Sequence, residues 1–432
     1  KKVGDGELVL TGVNSFTGGT VVDDGVLELF DSSSNDSGRG ALTGELTVNA
    51  SGTVELAGNS DASFGWNPEQ RVTTLNINGG LVNALNKQHV WRMTGDVNFD
   101  GGGEIRVNGG TSSDTTANWL EWGGSSINVT NSSTAAQAVV SGRINLRADG
   151  AGTSNPSLTI NVADDAGLTS ELLISAAMTQ PNTATITKTG GGAVTFSGDN
   201  TYSGRTDIEA GRIIVTGGHV STSQFDIDSG ATLQYHITSG DWRSYRREIT
   251  YTGNGTIEKT GAGLVRLYQN PGGVMAMGAD GWIKVLEGKI GLGWPSTSTW
   301  VNNQSSIDIA TGATFDMNDE NEVRIGALTG DGTFNFGTSI DGRLYIGVGN
   351  QTGQFDGDIT NPNRLLHIEK VGTGEQTLNG SVQHTGDTFV YGGKLIIGAV
   401  GYVSRSRSVR ITNGATLEID GIFTQAAGTR HV

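Results

Sequence analysis

The side chains able to do chemistry in this chain are scattered, and one run alone combines cations with rings. That run is Trp242-Arg243-Ser244-Tyr245-Arg246-Arg247, in a chain whose formal net charge is −16. Guanidinium groups beside aromatic faces suit an anionic glycan, or an acidic patch on a neighbouring copy. Trp242, Arg243, Tyr245, Arg246 and Arg247 are therefore the candidate interaction patch. Trp282, Trp294 and Trp300 follow in a loop-rich insertion, where a ring either stacks on sugar or anchors its loop. The segment Asp316-Met317-Asn318-Asp319-Glu320-Asn321-Glu322 concentrates oxygen ligands of the kind calcium takes. The Gly-Gly-x-Gly-x-Asp nonapeptide of calcium-binding β-rolls is missing, so a solvated acidic loop is the plainer reading and no metal site is assigned.

Catalysis finds little support. Asp23-Asp24, Asp164-Asp165, Asp316, Asp319-Glu320 and Glu322 fall in turns, where carboxylates accept local N–H groups. Parallel β-helices that cleave polysaccharides gather such acids on one face, and no gathering is visible here. The six histidines (89, 219, 236, 367, 384 and 431) lack metal-ligand spacing, and no Gly-x-Ser-x-Gly elbow occurs. No catalytic residue and no cofactor is assigned, and the chain reads as a non-enzyme.

The elements that would position these groups come from a repeat. Residues 4–29, GDGELVLTGVNSFTGGTVVDDGVLEL, align without a gap on 190–215, GGGAVTFSGDNTYSGRTDIEAGRIIV. Gly12, Asn14, Phe16 and Gly25 fall on Gly198, Asn200, Tyr202 and Gly211. A third copy at 372–397 keeps Gly380 and Gly393 but puts Val382 and His384 where the Asn and the aromatic stood. A fourth begins at Gly261 and is broken near Pro271. After each copy comes a strand–turn–strand unit (46–56, 225–235, 307–317, 409–419) with a glycine at its turn: Gly52, Gly230, Gly312 or Gly414. Alternation such as Leu8/Leu10 and Leu27/Leu29 is the period of a half-buried strand. No crossover-helix pattern appears; Ala166–Ala177 is the one ambiguous stretch. Tandem short strands in a fixed frame predict a right-handed parallel β-solenoid, all-β, in which each coil stacks on the last.

Composition fits. The chain has 432 residues, 68 Gly, 6 Pro, no Cys and 17% charged residues. An acidic balance argues against nucleic acid and against anionic lipid. No 18-residue apolar run exists, so no transmembrane helix is expected.

The run Gly4 to Leu29, including Asn14-Ser15-Phe16-Thr17-Gly18-Gly19-Thr20, resembles the autotransporter-associated β-strand repeat of bacterial surface proteins, and Gly190 to Val215 is similar to it. Residues 325–337, IGALTGDGTFNFG, match a segment common in such proteins. The resemblance implies an extracellular or bacterial cell-surface β-helix, a structural or adhesive scaffold forming one segment of a larger passenger. The chain is read as a single continuous solenoid over 1–432, with clear repeats at 4–56, 190–235, 261–317 and 372–419 and degenerate, loop-rich coils over 60–185. It opens on Lys-x-Gly-x-Gly, as at Lys188, Lys259 and Lys370, which adds to the expectation of a segment. Two alternatives stand: a subunit that assembles with copies of itself into an extracellular filament or layer, and a module that binds or cleaves surface glycans.

Overall fold

The computed structural model describes the chain except 31–38, 58–63, 66, 68–69, 86–88, 92–94, 108–119, 123–125, 131–135, 147–155, 166, 180–182, 219, 244–248, 268–272, 293–299, 319, 338–340, 362–364, 413 and 426–432. Among the described residues every element is a β-strand, and the strands stack in parallel as a β-solenoid. The chain divides into two compact units, Lys1–Thr222 and Ser223–Val432.

In the first unit, alternating apolar residues turn inward and meet their counterparts one coil away. One ladder runs Leu8, Leu27, Val54, Val82, Ile105, Val140, Ile174, Phe196, Val215. A second runs Val22, Val48, Ile77, Phe99, Val129, Val162. Apart from Leu8, these side chains are buried. Both ladders pass through the stretch where the sequence repeat fades. Register there is set by the inward apolar groups, because a one-residue slip would turn every one of them to solvent. The outward face of the same sheet carries hydrogen-bonded Asn76, Asn98, Asn128 and Asn161 at matching positions.

The second unit has its own ladders: Leu233, Ile257, Ile283, Ile307, Leu328 on one sheet, and Trp242, Val265, Ile290, Phe315, Phe334, Ile359, Val382, Val403 on another. A third sheet joins Glu322–Ile325, Gly342–Ile346, Leu366–Lys370, Thr388–Val390 and Val409–Ile411.

Two local expectations change. The stretch ending at Ala177 is extended, with strands at Leu172–Ile174 and Ala177–Thr179. Gly52 makes no positive-φ turn: it lies within the strand Gly44–Leu56, stacked on Gly25, where an added Cβ would press on the Val22 carbonyl.

Candidate functional site

Three groups of repeat residues meet at the corners of the coils. In the second copy Tyr202 is buried, and its hydroxyl lies 2.9 Å from Thr206 Oγ1. Thr206 donates to Thr222 (3.1 Å), which donates to the Gly204 carbonyl (2.6 Å). Every hydroxyl hydrogen in this relay is used if Tyr202 donates, so burial leaves no donor unmatched. Asn200, also buried, accepts from the Met178 N–H at 3.2 Å. In the first copy Asn14 instead donates to the carbonyls of Gly12 (3.2 Å) and Ala41 (3.0 Å). Phe16 there is exposed and has no hydroxyl, and Thr20 Oγ1 lacks a hydrogen-bond partner. Gly198 and Gly380 sit where an added Cβ would strike the carbonyls of Ala176 and Gly357 on the coil below.

The corner that opens each repeat is built on a lysine. Lys188 Nζ donates to the carbonyls of Thr189 (2.6 Å), Gly190 (2.8 Å) and, one coil on, Ala210 (3.2 Å). Lys370 does the same to Val371 (2.6 Å), Gly372 (3.3 Å) and Gly392 (3.2 Å). Lys259 reaches Thr260, Gly261 and Glu287, and Lys2 reaches Gly4 and Asp24. In each case a glycine follows the distant carbonyl with positive φ: Gly25 at 69°, Gly211 at 70°, Gly288 at 65° and Gly393 at 59°. The glycine turns the chain, and the ammonium gathers the carbonyls that the turn leaves pointing inward. Burial pushes Lys188 and Lys259 down to about 8, against the pull of Glu171 and Glu287 respectively. Burial lowers Lys370 too.

Residues 1–29, 186–215 and 368–397 match the passenger-associated-transport-repeat family. Three stretches of this β-solenoid are passenger-associated transport repeats. No curated protein and no solved structure matches it.

In the third transport repeat, His384 takes the aromatic position. It is buried, with Nδ1 3.1 Å from the Leu366 carbonyl and Nε2 3.1 Å from Thr388 Oγ1, which lies 2.9 Å from Ser406 Oγ. A carbonyl only accepts, so Nδ1 carries the hydrogen and the neutral ring accepts from Thr388 at Nε2. Burial pushes His384 down to about 4, opposed by the Leu366 bond. The unfolded chain, with a histidine near 6.5, then takes up a proton before the folded one does. Stability should therefore fall as pH drops from about 6.5 towards 4, by up to about 3 kcal/mol. His384→Tyr, which reproduces the donor at Tyr202, should remove that part of the slope. Urea midpoints at pH 7, 5.5 and 4.5 test this; equal slopes for variant and parent would refute it.

Of the candidate interaction patch, Trp242 is the one residue whose side chain is described, and it does not face solvent. Trp242 heads an interior apolar ladder, buried with its ring 5.0 Å from that of Tyr235. Strand alternation turns it inward, so it is a packing residue and cannot stack on a sugar. Arg243 ends the same strand; Tyr245, Arg246 and Arg247 lie outside the described residues. Trp300 is buried edge-on against Phe315 at 6.1 Å, Trp282 is half-buried beneath Lys284, and Trp294 lies outside the described residues. The acidic run is engaged locally: Asp316 pairs with Lys289 and accepts from Asn335 (3.0 Å) and the Asn318 N–H (2.8 Å), and Glu322 pairs with Arg324. Asp319 lies outside the described residues. A different set of acids converges, Glu7, Glu28 and Glu55 on successive coils, and burial, with the proximity of Glu7, raises Glu28.

Residues 321–410 hold a site that the sequence reading passed over. A cleft of about 270 Å³ is lined by Asn321, Glu322, Asp341, Arg343 and His367. Beside it His367, Phe389 and Tyr391 stack at 6.2 and 5.5 Å. The available signal was the alternation Arg405-Ser-Arg407, followed by Arg410, in an acidic chain.

Proposed function

We propose that this chain is a non-catalytic scaffold, exported to the cell surface or secreted, whose coils hold adhesive side chains on their outward faces. The observation that carries the reading is the lysine corner, which recurs at Lys2, Lys188 and Lys370 within the three transport repeats and again at Lys259. Such a corner fastens one coil to the next and makes no provision for turnover. The carboxylates expected in turns fit the same reading, since Asp23, inside the strand Thr20–Phe30, binds Lys1 and Asn49, and Asp316, ending the strand Thr314–Asp316, binds Lys289.

The test is location. The full reading frame, produced in its own cells, should be labelled by antibody on intact cells or recovered from the medium, and be cut by protease added outside. Labelling only after permeabilisation would overturn the proposal.

A further inference from the structure

We infer that the outward face of the sheet containing Glu322–Ile325, Gly342–Ile346, Leu366–Lys370, Thr388–Val390 and Val409–Ile411 binds an acidic polysaccharide. Inward positions of these strands, such as Val323, Leu344 and Ile368, are buried. Alternation therefore turns Arg324, Arg343, Tyr345, His367, Glu369, Phe389 and Arg410 outward, with Arg324 paired to Glu322 and Arg343 to Glu369. Cations lie on rings there: Arg324 is 4.5 Å from the Tyr345 centroid and Arg410 is 5.8 Å from that of Phe389. Tyr391 is 42% exposed at the edge of the stack.

A strained residue precedes this face, on the strand Tyr402–Ser406 of the adjoining sheet that leads into Val409–Ile411. Arg405 has φ of 68°, at a register shift between Val403 and Ser406. Strict alternation from buried Val403 would send Arg405 inward. The bulge instead buries Ser406, which joins the His384 relay, and leaves Arg405 exposed. Holding a non-glycine residue there costs about 1–2 kcal/mol. Arg405, Arg407 and Arg410 are all exposed, and none forms an ion pair among the described residues. In a chain of net charge −16, three unneutralised guanidinium groups within six residues of one another, the last of them over the Phe389 ring, form a site for an anionic partner.

The cleft alongside decides which anion. Asn321, Glu322 and Asp341 supply acceptors and Arg343 supplies donors. The His367 Nδ1 accepts the Asp387 N–H at 3.1 Å, which leaves the Nε2–H as a donor. Sugar hydroxyls both donate and accept, so they satisfy such a mixed lining. A phosphodiester chain offers few donors to the acceptors Asn321, Glu322 and Asp341, whereas each sugar unit brings hydroxyls that donate to them. The rungs carrying Arg343, His367, Phe389 and Arg410 succeed one another at about 4.8 Å, a stripe of roughly 15 Å and long enough for several sugar units.

The experiment titrates the full chain with polygalacturonate, dextran and a single-stranded oligonucleotide at low and high salt. Polygalacturonate should bind at least about tenfold more tightly than dextran, and more weakly at high salt. The triple variant Arg405→Asn, Arg407→Ser, Arg410→Ser, with asparagine chosen because it accepts positive φ, should lose about tenfold in affinity with an unchanged melting curve. Tyr391→Ala should lose about threefold. Parental affinity in the triple variant, equal binding of dextran, tighter binding of the oligonucleotide, or no binding to polygalacturonate would each overturn the proposal.

Discussion

Gly211→Ala should cost the folded chain roughly 3 kcal/mol, whereas Gly12→Ala should cost about 1 kcal/mol. The two glycines share the same backbone demand, with φ of 70° and 75°, so left-handed strain weighs equally on both. They differ in what lies beside them. An added Cβ at Gly12 meets nothing within 4 Å, while at Gly211 it lands on the carbonyl oxygens of Gly190 and Gly192, on the coil below. Those oxygens cannot retreat: Gly190 is held by Lys188, and Gly192 accepts the Arg212 N–H at 3.2 Å. The coils would have to part at that corner, and the parallel bonds from Ala193 to Phe196 against Arg212 to Val215 would lengthen with them. Urea midpoints of the two variants measure the difference. Equal destabilisation would mean that the close approach contributes nothing and that glycine serves the turn alone. The same contrast applies at Gly25, Gly288 and Gly393, whose Cβ positions also fall on carbonyls of the coil below.

What the sequence disclosed follows from which interactions are local. The inward ladders were legible because alternation is a property of each strand by itself: Leu8 and Leu10, Leu27 and Leu29 declare their faces without knowing their neighbours. The transport repeats were legible because Gly190 to Val215 copies Gly4 to Leu29 in frame. Trp242 misled because proximity along the chain does not set the side of a strand, and the same alternation puts its ring inside. The arginine face was missed for the opposite reason. Arg343, His367 and Phe389 are separated in sequence by whole coils, and only stacking brings them to adjacent rungs. Arg405 was further hidden by its bulge, which inverts the side that alternation assigns to it. The lysines were visible as markers of each repeat, but their purpose depends on a carbonyl 22 residues ahead in three cases and 28 in the fourth. That distance is set by coil length, which no local pattern states.

Lys188→Met is expected to destabilise the chain by about 3 kcal/mol at pH 7, and to remove the Lys188 share of a rise in stability above pH 8 to which Lys259 and Lys370 also contribute. Methionine fills the space of the lysine stem but donates nothing, so the carbonyls of Thr189, Gly190 and Ala210 would lose a common donor. Each unmatched buried acceptor costs about 1–3 kcal/mol. Relief from burying an ammonium returns part of the sum, and that is why the net loss falls short of the full total. The pH arm separates the two contributions. With Lys188 near 8 in the fold and about 10.4 in the unfolded chain, the unfolded state holds more protons between those values, and stability climbs with pH across that window. The neutral amine still donates two hydrogens, so the corner survives deprotonation. Measurements should stop near pH 9.5. Above that, the unfolded phenols of Tyr202 and Tyr251, which burial raises in the fold, begin to ionise and pull stability down. A parent whose urea midpoint is flat from pH 7.5 to 9.5, or a methionine variant as stable as the parent, would show that the coils are closed by glycine geometry and apolar stacking without the ammonium.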